Sequence, residues 1–126
     1  MIVGEPIVVE SLEVRLVNAD RLALKGSVST PTALAELKRL FGLTHELAVS
    51  SRVERFTVDV RDLGFVNSSS IRAFVDWISR ASHAGYKLAF TTNAAVTWHR
   101  LSFSVLKTLA PEIVEIVEER PGGAPS

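Results

Sequence analysis

Two hydrophobic periodicities alternate along this chain of 126 residues, and that alternation limits the folds open to it. Period-2 segments typical of strands are followed in turn by segments with the 3.6-residue period of amphipathic helices. The predicted order is β-β-α-β-α-β-α-β. Strands that alternate with helices pair in parallel through right-handed crossovers, and the first two strands form an antiparallel hairpin. We therefore predict a single α/β domain with a mixed β-sheet of about five strands and helices mainly on one face.

The ends of the predicted segments carry recognisable signals. The first helix follows a Ser/Thr cap and has Pro31 in its first turn. The second helix ends at Gly85, and the third is predicted to begin at Asn93 as its N-cap and to stop at Pro111. The predicted strands are SLEVRLV, RLALKGSV, RFTVDVRDLGFV, YKLAFTT and EIVEIVEE.

Composition excludes several classes of function. Fourteen basic and fourteen acidic residues cancel, which gives no reason to expect nucleic acid or a membrane surface as a partner. The chain has no cysteine, which excludes thiol catalysis and thiolate metal sites. We find no signal peptide and no apolar stretch of membrane-spanning length, so we expect a cytoplasmic protein. The domain should cover residues 1–120, and the Pro/Gly-rich residues 121–126 should form a disordered tail.

The sequence carries no pattern typical of an enzyme. His45, His83 and His99 are isolated, with no second ligand at metal-binding spacing. Asp59 and Asp62 flank a predicted strand, but acids in that place are usually turn or cap residues. We expect no catalytic activity, no cofactor and no metal.

Three consecutive serines, 68–70, follow Asn67 between a predicted strand and the second helix. If Asn67 is the N-cap, Val66 and Ile71 take the two positions of a hydrophobic staple, and the serines are small polar residues of the first turn. Alternatively, an exposed serine at the positive end of a helix can accept a phosphoryl group, because the dipole and the free amides stabilise its charge. The residue types alone leave both interpretations open.

The second helix is also the predicted partner-binding element. Trp77 is either an exposed aromatic anchor or a residue that packs under a neighbouring helix. Helical spacing predicts a core stripe of Ile71, Phe74, Val75, Ile78 and Ser82. The predicted partner-binding residues share the flank and outer face of the same helix: Ser70, Arg72, Ala73, Asp76, Trp77 and Arg80. In the third helix, Trp98 and Phe103 are predicted to be core residues.

The strand FTVDVRDLGFV, the serine turn and the helix IRAFVDWISRASHAG resemble the STAS domain of anti-sigma-factor antagonists. The resemblance covers roughly residues 10–118. That family has a D-S-[ST]-G turn, whereas here Asn67 stands for the Asp and Ser70 for the Gly. The turn is more similar to that of the SiaC-type regulatory phosphoproteins, a STAS-like family with Asn-Thr-Ser-Ser before Ile-Lys-Ala.

The resemblance implies a regulatory phosphoprotein of a partner-switching system. Ser68 aligns with the phosphoacceptor, Ser69 and Ser70 are second choices, and Asn67 positions the turn. The implied partners are a serine protein kinase of the histidine-kinase-like ATPase fold, a metal-dependent serine phosphatase and an effector. In SiaC-like systems that effector is a diguanylate cyclase. Two alternatives remain open: an anti-sigma-factor antagonist that binds an anti-sigma factor, and a STAS-like sensor or scaffold that is never phosphorylated.

Overall fold

The computed structural model describes residues 1–119, so the predicted tail at residues 121–126 lies outside the described part. Six strands and three helices occur there. Their bounds are β1 Pro6–Val9, β2 Leu12–Asn18, β3 Arg21–Val28, α1 Pro31–Ser50, β4 Arg55–Val66, α2 Ser68–Ala84, β5 Lys87–Asn93, α3 Thr97–Leu109 and β6 Val114–Glu119. In residues 1–119 no helix combines the length and the apolar character needed to cross a membrane.

The six strands form one mixed sheet in the order of the sequence, β1 to β6. The first three strands pair antiparallel, and β3, β4, β5 and β6 pair in parallel. Right-handed crossovers that advance one strand at a time in one direction place all three helices on the same face. The predicted mixed sheet with helices on one face is therefore confirmed, with six strands instead of about five.

Burial along β4 separates the two faces of the sheet. Phe56, Val58 and Val60 are fully buried, as their predicted inward orientation requires. Asp59 and Arg61, which alternate with them, are partly exposed. Because side chains alternate between faces along a strand, one face packs under the helices and the other is open.

The strand that the sequence did not predict is β1, which adds to the sheet edge beside β2. It has four residues and no long alternation, so periodicity gives it little signal. The turn after it lies directly against β3. Ser27 donates its backbone N–H to the carbonyl oxygen of Ser11, and a Cβ at Gly26 would lie 1.9 Å from that same oxygen. Gly26 also has φ of +96°, which only glycine adopts readily.

Aromatic contacts between α1 and α2 decide which side of α2 is buried. The ring of Phe41 lies 5.1 Å from that of Phe74 and 4.5 Å from that of Trp77, measured between centroids. Phe74 also packs against Phe90 of β5 and Phe103 of α3. The buried face of α2 consists of Ser70, Ala73, Phe74, Trp77, Ile78 and Ala81. The predicted core stripe was wrong at Val75 and Ser82, which are exposed.

The third helix begins later than predicted. Asn93 is the last residue of β5, and its Oδ1 accepts the N–H of Ala95 at 2.9 Å in an Asx turn. Thr97 is the first helical residue, after an N-cap that makes no side-chain hydrogen bond. Phe103 is fully buried, as predicted. Trp98 is half-buried and packs against the edge of the core.

Candidate functional site

Asn67 organises the turn between β4 and α2. Its Oδ1 accepts the backbone N–H of Ser70 at 3.0 Å and the hydroxyl of Ser70 at 2.7 Å. Its own N–H donates to the carbonyl oxygen of Val28 at 3.1 Å, which ties the turn to the end of β3. This is N-cap geometry, with the side chain bound to the third residue of the helix. The side chain of Asn67 thus caps α2, and its backbone N–H joins the turn to β3.

The three serines occupy two different environments. Ser70 is fully buried and gives its hydroxyl hydrogen to Asn67. Ser68 and Ser69 are exposed on the first turn of α2. The prediction of Ser70 as an alternative phosphoacceptor and partner contact is therefore corrected, because its hydroxyl is inside the capping network. Phosphoryl transfer to Ser70 would require that first turn to open.

The electrostatics of this turn favour an anion. The first turn of α2 contains no acidic residue. The backbone amides of Ser68 and Ser69 belong to the first four of the helix, which no helical carbonyl can pair. Together with the helix dipole they form the positive end of α2. These amides and the dipole would stabilise a negative charge added to this turn.

The strand that leads into the turn is held by α3 as well as by the sheet. After Asp59, β4 stops pairing with β5 and continues only beside β3. Its carbonyl oxygens on the side of β5 then need other donors. The last residue of β5 and two residues of α3 supply them: Asn93 Nδ2 donates to Arg61 O at 3.4 Å, His99 Nε2 to Leu63 O at 2.7 Å, and Trp98 Nε1 to Gly64 O at 2.8 Å.

The three hydrogen bonds from Asn93, Trp98 and His99 to the carbonyls of β4 form a tether, and His99 is a structural residue of it. It is fully buried, and its Nδ1 accepts the backbone N–H of Asn93 at 3.1 Å. The ring is therefore the neutral tautomer with hydrogen on Nε2, and burial lowers its pKa. No feature of the sequence distinguishes His99 from His45 or His83, so its structural role was not predicted. Within residues 1–119 no cluster of three or more metal-ligating side chains occurs.

The predicted partner-binding residues divide into an exposed set and a buried set. Arg72, Asp76 and Arg80 are exposed. Ala73 and Trp77 are buried, so the interpretation of Trp77 as an exposed anchor was wrong and the alternative of packing under a neighbouring helix is confirmed.

Two contacts account for the burial of Trp77. Its ring packs against that of Phe41 of α1 at a tilt of 38°, and its Nε1–H donates to the hydroxyl of Tyr86 at 2.9 Å. The tryptophan therefore joins α2 to α1 and to the start of β5.

A groove between α1 and α2 begins beside the serine turn. Near the turn it is lined by Leu34, Lys38, Ser69, Arg72, Val75 and Asp76. Farther along α2 it is lined by Lys38, Phe41, Ala73, Asp76, Trp77 and Arg80. Lys38 was not predicted as a site residue, because it lies on α1 and joins the set only through helix packing.

Comparisons with known proteins identify the fold. No protein-family model matches the chain, and no curated protein matches it. A chain of the crystal structure of diguanylate cyclase SiaD in complex with its activator SiaC from Pseudomonas aeruginosa matches with a TM-score of 0.70 at 13% identity, covering 92% of this chain and 100% of that one. The crystal structure of apo-SiaC from the same organism gives a TM-score of 0.65 at 14% identity, over 90% of this chain and 98% of that one.

A third structure extends the likeness to a related group. An anti-sigma factor antagonist from Mycobacterium paratuberculosis matches with a TM-score of 0.55 at 9% identity, covering 88% of this chain and 82% of that chain. At these identities the likeness establishes the fold. The chain has a STAS-like fold of the SiaC type, as the serine turn and its flanking elements predict.

Proposed function

We propose that this chain is a non-enzymatic regulatory phosphoprotein of a partner-switching system. The unphosphorylated form binds an effector, and phosphorylation of Ser68 releases or redirects it. The observation that carries this proposal is that the residues of the turn have separate roles. Asn67 and the buried Ser70 form the cap, and Ser68 is left exposed at the positive end of α2.

The switch is a simple phosphoryl transfer. A kinase moves the γ-phosphoryl group of ATP to the Oγ of Ser68, with loss of the hydroxyl proton and release of ADP. A phosphatase hydrolyses the ester and returns the hydroxyl and inorganic phosphate. The ester adds about −1.5 to −2 charges, which the helix terminus stabilises by about 0.3–1 kcal/mol. The fold stays intact, and the change acts on whatever binds over the start of α2.

The proposed partners are a serine kinase of the histidine-kinase-like ATPase fold, a metal-dependent serine phosphatase and an effector in the cytoplasm. A diguanylate cyclase is the favoured effector, because the structural likeness is greater to SiaC, which is the activator of the cyclase SiaD, than to the antagonist. An anti-sigma factor is the second candidate, supported by the likeness to the anti-sigma factor antagonist. The exposed residues Arg72, Asp76 and Arg80 next to the turn are the proposed contacts.

The proposal is tested by recovering partners of the tagged protein from the cells that make it. The variants are Ser68→Ala, Ser68→Asp and Ser79→Asp, the last a control at an exposed serine farther along α2. We expect Ser68→Ala to retain the cyclase or the anti-sigma factor and Ser68→Asp to lose it by at least about tenfold. Equal recovery with Ser68→Asp and Ser79→Asp would contradict a switch at Ser68 and favour a STAS-like sensor or scaffold.

A further inference from the structure

The groove between α1 and α2 has an apolar floor and a cationic rim. Phe41, Ala73 and Trp77 close its floor and none is more than 4% exposed, so the accessible apolar side chains are Leu34 and Val75 near the serine turn. Three cations line the rim against one carboxylate: Lys38, Arg72 and Arg80 against Asp76. The rim therefore carries two net positive charges in a chain whose total charge is zero.

These cations are not neutralised by neighbouring side chains. In residues 1–119 the ion pairs within 4.0 Å involve other arginines, and none includes Lys38, Arg72 or Arg80. Arg39 makes a useful comparison, because it is next to Lys38 in sequence and pairs with Glu36 on the same helix. The rim charges are thus available to a ligand.

The groove is long enough for a short helical segment. From Ser69 to Arg80, α2 advances about 16 Å at 1.5 Å per residue. At the far end the guanidinium of Arg80 extends toward α1, where a Cβ at Gly42 would lie 3.5 Å from its Nη1. The guanidinium of Arg80 therefore lies beside the backbone of α1 at position 42.

We infer that this groove binds an acidic, amphipathic segment of the effector, with apolar side chains against Leu34 and Val75 and carboxylates toward the three cations. Charge complementarity selects such a segment. The switching part of this inference rests on the proposed function. A phosphoryl group on Ser68 lies one helical turn before Arg72, within reach of its guanidinium. Ser69, next in sequence, lines the groove beside Lys38. The phosphoryl group thus neutralises the end of the groove that an acidic segment needs.

Docking is tested on the unmodified protein by NMR, with a blocked synthetic peptide of about ten residues that spans about 15 Å as a helix. Its leucines lie on one face and its glutamates on the other, and the control peptide has glutamine for glutamate. We expect amide shifts confined to residues 34–42 and 69–80. The variant Lys38→Glu/Arg72→Glu/Arg80→Glu should weaken binding by at least about tenfold. The matched variant Lys25→Glu/Lys87→Glu/Arg100→Glu changes three exposed cations elsewhere and should bind like the parent.

Three results would overturn the docking inference. These are shifts outside the groove or no shifts at all, equal losses in the two triple variants, and tighter binding of a single-stranded oligothymidylate of similar length than of the acidic peptide. The switching part is measured separately with phosphoserine incorporated at position 68 or, as the control, at position 79. Phosphoserine at position 68 should weaken binding of the acidic peptide by at least about tenfold, and phosphoserine at position 79 should leave that binding unchanged. If the peptide binds in the groove and phosphoserine at position 68 does not change its affinity, only the switching part is overturned.

Discussion

At the scale of single residues, three identical neighbours have different roles because of where their side chains lie. Ser70 completes the cap of Asn67, and Ser68 and Ser69 face solvent. The cap itself could be predicted from the sequence, because capping depends on residues within one turn. The burial of Trp77 could not, since Phe41 of α1 packs against it from a distant part of the sequence.

An alanine series through the turn tests this assignment. Ser68→Ala and Ser69→Ala should change the free energy of unfolding by less than about 0.5 kcal/mol, as is usual for exposed positions. Ser70→Ala should cost about 1 kcal/mol for the lost buried hydrogen bond, and Asn67→Ala about 0.5–2 kcal/mol for the lost cap. Urea denaturation measures all four. A loss at Ser68 as large as that at Ser70 would show that Ser68 is also a structural residue.

At the scale of elements, β4 and α3 act together to position the serine turn. The far half of β4 does not pair with β5, and side chains of the last residue of β5 and of α3 bind its carbonyls instead. The sequence predicted both elements from their periodicity. It did not predict their connection, because hydrogen bonds between residues about thirty-six positions apart leave no local signal. The start of α3 at Thr97 was also missed, because Asn93 ends β5 and caps an Asx turn with Ala95 instead of the helix.

The tether predicts a pH-dependent stability. Burial lowers the pKa of His99 below its ordinary value of 6.5. Well above that value, His99 is neutral in both the folded and the unfolded chain, so its titration does not lower the free energy of unfolding. As the pH falls through 6.5, the unfolded chain takes up a proton that the folded chain resists, so the free energy of unfolding decreases. Denaturation between roughly pH 8 and pH 5.5 should show this loss.

Histidine variants test whether the loss of stability at low pH comes from His99. His99→Gln retains an amide donor but cannot titrate in this range, so its stability should fall less steeply with acid than that of the parent. Burial also lowers the pKa of His45, so part of the slope should remain in His99→Gln. Identical slopes in His99→Gln and the parent would contradict the tether.

At the scale of the whole molecule, sequential right-handed crossovers leave three helices on one face and the serine turn at the end of β4. That arrangement could be predicted from alternating periodicities, and the resemblance of the turn to the SiaC-type family agreed with the fold. The short edge strand and the α1–α2 groove were missed, because both depend on contacts between elements. Under the proposed function, phosphorylation of the exposed Ser68 alters a surface and leaves the core intact, as a partner switch requires.

The most direct test of the central claim is the mass of the protein purified from its own cells, with the phosphoryl group mapped on the tryptic peptide Asp62–Arg72. We predict a fraction of molecules with a single phosphoryl group on Ser68, none on Ser70, and loss of that group on treatment with a serine phosphatase. A protein that stays unmodified under all growth conditions and is not phosphorylated by serine kinases of its own cells would contradict the account. The turn would then be only a helix cap.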